Sequence, residues 1–384
     1  MKKIAIVTRK LVMGGVERCL ITMLKKYANN CEVTLFVMEQ GGELYDEIPN
    51  NVRILQIPGI GESWKKKILK YVMCGKVKKS VQLFENIVKL KKEKNFSEQC
   101  RLLSESLPDV EEKYDIAISY YVPISFPVVY TLDHIKAKQK YIWFHTDPEK
   151  MGINLYEMRD EHSHYDLIIG VSEHISEVTK RLEPENKEKI ITIYNCYDVE
   201  NIILKSKKSN ELLLKKSLMF VTVGRICPQK RQVCIPKIAS WLKNDNILFK
   251  WFVVGDGSDN HILKELIQKF DVKDSVILVG NKDNPYQYME KCDIYIQTSE
   301  YEGFCTTTFE AKILGKVVIT TDVSGAREQF SDKVDGIIVE RTPEGIYKGI
   351  KSLLQNKELY DKIEKNVKKF KYSENKFYGE IFGE

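Results

Sequence analysis

The chain has 384 residues, of which 43% are hydrophobic and 30% charged, and a formal net charge of +6. That length exceeds one ordinary core and predicts two domains of roughly 180 residues each, while the composition excludes a disordered chain and no apolar run approaches the roughly 20 residues of a membrane-spanning helix. The nine cysteines are an odd number without a C-x-x-C pair, so they read as reduced thiols and not as a disulfide framework or zinc site.

Met1-Lys2-Lys3 runs directly into an apolar, β-branched stretch at residues 3–8, so a strand is expected in place of a signal peptide, and the protein is expected in the cytoplasm. Gly14-Gly15 then opens a helix whose apolar positions are Val16, Leu20, Met23, Leu24 and Tyr27. A glycine pair there either lets a ligand approach the backbone or serves a turn that needs positive φ. The full G-x-G-x-x-G pattern is absent, which weighs against a dehydrogenase. Residues 32–37 and 52–57 read as the next strands, in the alternating order of a parallel sheet.

Residues 62–94 carry the positive charge. From Lys65 to Lys94 eleven lysines stand against Glu85 and Glu93, and the rest of the chain is therefore slightly acidic. Ile68, Leu69, Val72, Met73, Val77, Val81, Phe84, Ile87, Val88 and Leu90 recur at about three and four, which predicts one or two basic amphipathic helices. Two readings stand at this point: the solvated face of ordinary helices, or a surface that lies on anionic lipid. No recognised nucleic-acid module accompanies the lysines, and nucleic acid is not expected as a partner.

Residues 114–120, 140–145 and 165–172 are three further strand candidates, each ending where a ligand would lie in a parallel sheet. His145, in Trp143-Phe144-His145-Thr146-Asp147, stands at such an end, as a structural hydrogen-bonding residue or one that faces a ligand. His162 and His164 lack the further ligands a metal site requires. Residues 190–194 form the last strand of this half, Asn195 follows it, and residues 201–216, polar and lysine-rich, read as a domain linker.

Residues 218–224 are a strong strand, with Arg225 just after it and Lys230 five residues on. Two cations at a strand end either clamp a diphosphate, Arg in bidentate fashion and Lys as a point charge, or are surface charge. Strand and helix then alternate: strand 249–255, helix 262–270, strand 276–280, helix 285–291, strand 293–298, with Asp256-Gly257 and Gly280-Asn281 as loops at strand ends on one side. The stretch from Ser299 to Ala311 follows, with Glu302 and Glu310 eight positions apart and a helix start near Cys305 to Thr308 between them. Backbone N–H groups at a helix start hold anions. Carboxylates on both sides make little sense for phosphate alone but suit a ligand that carries hydroxyls beside its phosphates. The ligand so described is a nucleotide sugar. Strands at 316–321 and 336–340 complete a second doubly wound sheet, residues 342–354 and 359–370 read as helices, and the aromatic tail 372–382 is expected to pack on something.

These features together, a glycine pair after the first strand, Gly224-Arg225 with Lys230 five residues on, and Glu302-Gly303-Phe304 ending in Glu310, resemble the family 4 glycosyltransferases of the GT-B fold over nearly the whole chain. The resemblance implies an α/β protein of two Rossmann-like doubly wound domains facing a cleft, with C-terminal helices packing back toward the first. The expected limits are 1–200 for an acceptor-side domain that includes the basic helices 62–94, 201–216 for the linker, 217–365 for the donor-side domain, and 366–384 for a tail returning to the first.

The implied activity is transfer of a sugar from a nucleotide diphosphate sugar, UDP- or GDP-linked, with retention at the anomeric carbon, and with neither metal nor cofactor. Carried over by position, Arg225 and Lys230, beside Gly224, would hold the diphosphate, and Glu310 would take the ribose hydroxyls. Glu302 would contact the donor sugar, while Gly303, Phe304, Cys305 and Thr306 would offer backbone N–H groups. His145 would touch the donor sugar from the first domain, Gly14 and Gly15 would let that domain close over the phosphates, and Asn281 would lie near the base. The expected partner is a glycan acceptor, lipid-linked in surface or capsular polysaccharide synthesis, met at the inner face of the plasma membrane through the basic helices. Three departures touch the sugar pocket: Cys305 where the family usually has Gly, Thr306 where it has an aliphatic residue or Pro, and Ser324-Gly325 where it often has a Gly pair. A sugar-nucleotide epimerase of the same architecture and a catalytically idle partner in a glycosylation complex are the alternatives.

Overall fold

The computed structural model describes residues 1–61, 63–73, 75, 77–150, 152, 154–208, 217–373 and 375–383. Outside them lie Glu62, Cys74 and Lys76 of the basic stretch, residues 209–216 of the expected linker, and Glu374 and Glu384 of the expected tail, together with the side chains at 64, 66, 67, 70, 71 and 79. The chain divides into one unit formed by Met1–Tyr197 with Asn375–Glu384, and a second formed by Asp198–Glu374.

The first unit is built on seven parallel strands, β1 (Lys2–Thr8), β2 (Cys31–Val37), β3 (Arg53–Gln56), β4 (Lys113–Tyr121), β5 (Lys136–Phe144), β6 (Leu167–Gly170) and β7 (Ile190–Thr192), in the order β3-β2-β1-β4-β5-β6-β7. Ile4, Ala5, Ile6 and Val7 of β1 are fully buried, as both faces of an inner parallel strand are when helices cover the sheet. The second unit repeats the scheme with β8 (Leu218–Val223), β9 (Phe249–Val254), β10 (Val276–Gly280), β11 (Ile294–Gln297), β12 (Val317–Thr321) and β13 (Ile337–Val339), ordered β10-β9-β8-β11-β12-β13. In its core the Trp251 indole donates to Thr222 Oγ1 at 3.0 Å, and Thr222 Oγ1 donates to the Ile296 carbonyl at 2.6 Å. Three neighbouring strands are thereby tied through one buried hydroxyl. Each sheet reverses its strand order once, between β1 and β4 and between β8 and β11. Ligands of such sheets bind outside the carboxyl ends of the strands at that switch point.

Side-chain caps mark several helix starts. Ser172 accepts from the Ile175 N–H, Asp198 from Asn201, Thr342 from Gly345 and Asn356 from Leu359. The Asp198 cap begins a helix at Val199–Ser206, where the sequence predicted a linker from residue 201. The cap and the buried Ile202 outweigh the polar composition of the segment. The expected tail from residue 366 also divides differently. Phe370 and Tyr372 stay in the second unit, with ring centroids 5.5 and 6.1 Å from Phe309, and the chain rejoins the first unit only from Asn375. There helix Phe377–Phe382 stacks Tyr378 and Phe382 on Tyr27, at 5.6 and 5.4 Å, and the Tyr378 hydroxyl donates to the Tyr194 carbonyl.

The basic stretch forms two helices, Trp64–Met73 and Val77–Lys92. The side that the second of them buries holds Ser80, Leu83 and Asn86, and Asn86 donates to Glu105 at 3.0 Å. Val77, Val81, Phe84 and Val88 are exposed, while Ile87 and Leu90 are half-buried.

Candidate functional site

At the switch point of the second sheet, the loops that follow β8, β9 and β11 converge. Gly224 directly follows β8 with φ +151°, and Gly255 directly follows β9 with φ +141°. A Cβ on Gly255 would stand 2.1 Å from the Gly224 carbonyl oxygen, and one on Gly257 2.2 Å from that of Ile226. The two loops therefore lie backbone on backbone, joined by the Ile226 N–H donating to the Asp256 carbonyl at 2.9 Å. Gly255→Ala is expected to cost about 2 kcal/mol of stability in urea unfolding, from both the φ and the contact; a transition identical to the native one would mean that the loops stand further apart.

The turn after Arg225 is stapled to the loop after β11. Thr298 Oγ1 donates to the Lys230 carbonyl at 2.6 Å, and the Glu300 N–H to the Gln229 carbonyl at 2.8 Å. These two bonds deliver the Lys230 ammonium to Glu302 Oε1 at 2.6 Å. The same oxygen accepts from Ser299 Oγ at 2.6 Å and Gln297 Nε2 at 3.2 Å. Glu302 is only 6% exposed. Three donors on one oxygen leave Oε2 without a partner among the described residues, aimed by its saturated twin. Burial works against the charge on Lys230, but the Glu302 carboxylate more than reverses this and holds the ammonium above its ordinary range.

Cys305 is the N-cap of helix Thr306–Ile313 and makes no side-chain cap bond, so the first-turn N–H groups remain open to an anion. Its carbonyl instead accepts from Thr308 Oγ1 and Gln329 Nε2, at 2.8 and 3.1 Å. The Cys305 thiol is buried, and burial, aided by Glu302, pushes its pKa up. It is a small packing group and not a nucleophilic thiolate. Phe304 is fixed from behind by Gly325, where φ is +76° and a Cβ would meet the Phe304 ring at 3.2 Å. Farther along the helix, buried Glu310 accepts from the Tyr286 hydroxyl at 2.9 Å.

In the first unit, Gly14 (φ −153°, ψ 163°) is the N-cap of helix Gly15–Tyr27 and makes no side-chain cap bond. Neither Gly14 nor Gly15 has positive φ, so the turn reading is not what calls for glycine; bare backbone at an open helix start is what the pair supplies. His145 directly follows β5, 7% exposed, with its ring 4.4 Å from that of Tyr120 and Nε2 without a hydrogen-bond partner. Burial lowers its pKa to about 3. The imidazole is thus neutral near pH 7 and acts as a hydrogen-bonding group. Two residues on, Asp147 is buried and accepts from the Glu149 and Lys150 N–H groups while pairing with His174 Nε2 at 2.9 Å. His162 is buried, with Nδ1 2.6 Å from Glu183 and Nε2 2.9 Å from the Pro123 carbonyl. No group of three or more metal-ligating side chains occurs among the described residues.

Of the residues singled out from sequence, the structure brings Lys230, Glu302, Gly303, Phe304, Cys305, Thr306 and Glu310 into one constellation, with Gly224 at its base. Arg225 and Asn281 are exposed at strand ends. Gln297, Ser299, Tyr286 and Gln329 escaped sequence reading. The available signal was a pair of polar side chains, Gln297 and Ser299, at the carboxyl end of an otherwise apolar strand.

Residues 205–370 match the family model described as glycosyl transferases group 1. Over 178 residues the chain is 33% identical to the N-acetylgalactosamine-N,N'-diacetylbacillosaminyl-diphospho-undecaprenol 4-alpha-N-acetylgalactosaminyltransferase of Campylobacter jejuni, an alignment covering 46% of each chain. It is 25% identical over 228 residues to the poly(ribitol-phosphate) alpha-N-acetylglucosaminyltransferase of Staphylococcus aureus, covering 57% of this chain and 44% of that one. The chain thus spans less than half the length of both curated relatives. The crystal structure of Anabaena HepE in complex with UDP and glucose superposes with a TM-score of 0.70 at 17% identity, covering 96% of this chain and 94% of that one. The two parallel-sheet units are those of the GT-B fold.

Proposed function

We propose that this chain, a GT-B protein with a group 1 glycosyl transferase segment, is a retaining glycosyltransferase. It moves a sugar from a UDP- or GDP-sugar to a glycan acceptor, in the manner of family 4 and without a metal. The observation that carries the reading is the uncapped start of helix Thr306–Ile313, flanked by Lys230 on Glu302 on one side and Glu310 on Tyr286 on the other. Anion-binding amides between two buried carboxylates suit a ligand with a diphosphate in the middle and hydroxyls at both ends.

In this reading the first-turn amides and Lys230 take the diphosphate, with Arg225 adding a second cation, and Glu310 takes the ribose. The free Oε2 of Glu302 accepts from a sugar hydroxyl, and His145 offers Nε2 to the same sugar; Gly14 and Gly15 lie against the phosphates, and Asn281 against the base. As the bond from the anomeric carbon to the phosphate oxygen breaks, its electron pair stays on the diphosphate. The acceptor hydroxyl oxygen bonds to the anomeric carbon on the face just vacated, and its proton passes to the departing phosphate oxygen. The protein contributes electrostatic stabilisation of the leaving group at preorganised donors. The relatives' names supply the acceptor class: we take it to be lipid-linked, met at the cytoplasmic membrane face, with the lysines of residues 62–94 drawn to anionic lipid.

The test is a screen of UDP- and GDP-sugars, with and without a diphospholipid-linked glycan, reading nucleoside diphosphate release. Release that depends on acceptor and is unchanged by EDTA is expected. An isomerised sugar nucleotide formed without acceptor would mean an epimerase, and no calorimetric binding of UDP or GDP would mean an idle partner. Activity abolished by chelator and restored by manganese would refute the metal-independent mechanism.

A further inference from the structure

We propose that helix Val77–Lys92 lies in the membrane interface with a stripe of apolar side chains inserted among the lipid chains. The membrane-face reading assigned only the lysines a role; this inference rests on that reading and adds an inserting face.

Val77, Val81, Phe84 and Val88 are 58%, 53%, 59% and 38% exposed. At 100° per residue they fall within about 60° of one another, so they form one ridge along the helix. The side turned toward the unit holds Ser80, Leu83 and Asn86, held by the Asn86 bond to Glu105. An ordinary surface helix buries its apolar stripe and hydrates its polar one. This helix buries Leu83 and half-buries Ile87 and Leu90 beside Ser80 and Asn86, and in addition turns Val77, Val81, Phe84 and Val88 outward as a second apolar stripe. The preceding helix, which packs against it, continues the surface with Leu69, Val72 and Met73, 60%, 50% and 78% exposed.

The charges around the ridge select the occupant. Lys91 and Lys92 are exposed and project at about 40–60° on either side of the ridge, with exposed Lys78 and Lys89 beyond one edge; Glu85 is the only acidic residue of the helix. Ammonium groups on long apolar stems, flanking an apolar ridge, suit a boundary where acyl chains meet anionic headgroups. A second copy of the chain would bring the same eleven lysines against these and be repelled. An anionic lipid surface satisfies the ridge and its flanks together.

The experiment is co-sedimentation of the full chain with vesicles of phosphatidylcholine plus phosphatidylglycerol, and of phosphatidylcholine alone. It compares the native protein with V81S/F84S and with K78E/K89E/K91E/K92E, and UDP or GDP binding is measured in parallel. The native protein is expected to bind the anionic vesicles, V81S/F84S to lose at least about tenfold in partitioning with nucleotide binding unchanged, and a Phe84→Trp variant to be quenched by brominated lipid chains. All the substituted side chains are exposed, so folding is not at issue. Undiminished binding of V81S/F84S, with release of the lysine variant, would overturn insertion while leaving the membrane-face reading in place. No binding by the native protein would remove that reading and this inference together. A native dimer that V81S/F84S turns into a monomer would make the ridge a contact between copies and overturn the proposal.

Discussion

Lys230→Ala is expected to lower kcat/KM about a hundredfold, roughly 2.7 kcal/mol, in a protein that still folds. Lys230 is the cation in direct contact with the Glu302 carboxylate, and it sits where the leaving group would gather charge. Removing it withdraws the stabilisation of that charge and leaves Glu302, buried, with only the neutral donors Ser299 and Gln297. Lys230→Arg keeps the charge but cannot place a single ammonium on Oε1 at 2.6 Å, so partial recovery is expected. The pH dependence follows from the sign of the shift. A lysine pKa held above the ordinary 10.5 makes the pair's contribution complete below that value, and the contribution is lost only as pH rises through the raised one. A change in activity across neutral pH must therefore come from another group. Steady-state kinetics beside a melting curve is the check, and native turnover in a folded Lys230→Ala protein would remove Lys230 from the mechanism.

What could be read from the sequence follows from how each feature is encoded. Inner parallel strands are continuous apolar runs ending in glycine or polar residues, so β8, β9 and β11 stand out, and the cations just past β8 stand out with them. Helix Phe126–His134 does not. Seven of its nine residues, Phe126 to Thr131 and His134, are buried, so it has no polar face, and without one the 3.6-residue period disappears. Strand β5 begins at Lys136, four residues before the apolar run that predicted it, because its ladder with β4 extends through polar Lys136 to Gln139. The basic helices show the converse limit. Their period is plain, but periodicity does not say which apolar residues are covered, and burial alone shows that Leu83 faces inward while Val77, Val81, Phe84 and Val88 face outward. At the site, Glu302 and Lys230 were legible as charged residues near strand ends. Their pairing depends on the bond from Thr298 to the Lys230 carbonyl, which joins residues 68 apart in the chain, a distance no local pattern spans.

Glu310→Ala is expected to weaken donor binding at least tenfold, about 1.4 kcal/mol or more, with the loss in KM and little change in kcat. The asymmetry distinguishes this carboxylate from Lys230. A ribose contact is made equally in the bound donor and in the transition state, so it contributes uniform binding, whereas contact with the departing phosphate strengthens as the bond breaks. Tyr286 donates to Glu310 Oε1, so Tyr286→Phe should produce a smaller loss of about threefold to fivefold by releasing the carboxylate from one orientation. A cycle with the ligand isolates the contact itself. Calorimetry with UDP and 2'-deoxy-UDP, or the guanosine pair if GDP is the nucleotide bound, should show the native protein discriminating between them and Glu310→Ala failing to do so, since the missing hydroxyl then has no acceptor to lose. Equal discrimination by both proteins would place the ribose elsewhere and return Glu310 to a structural role beneath the helix.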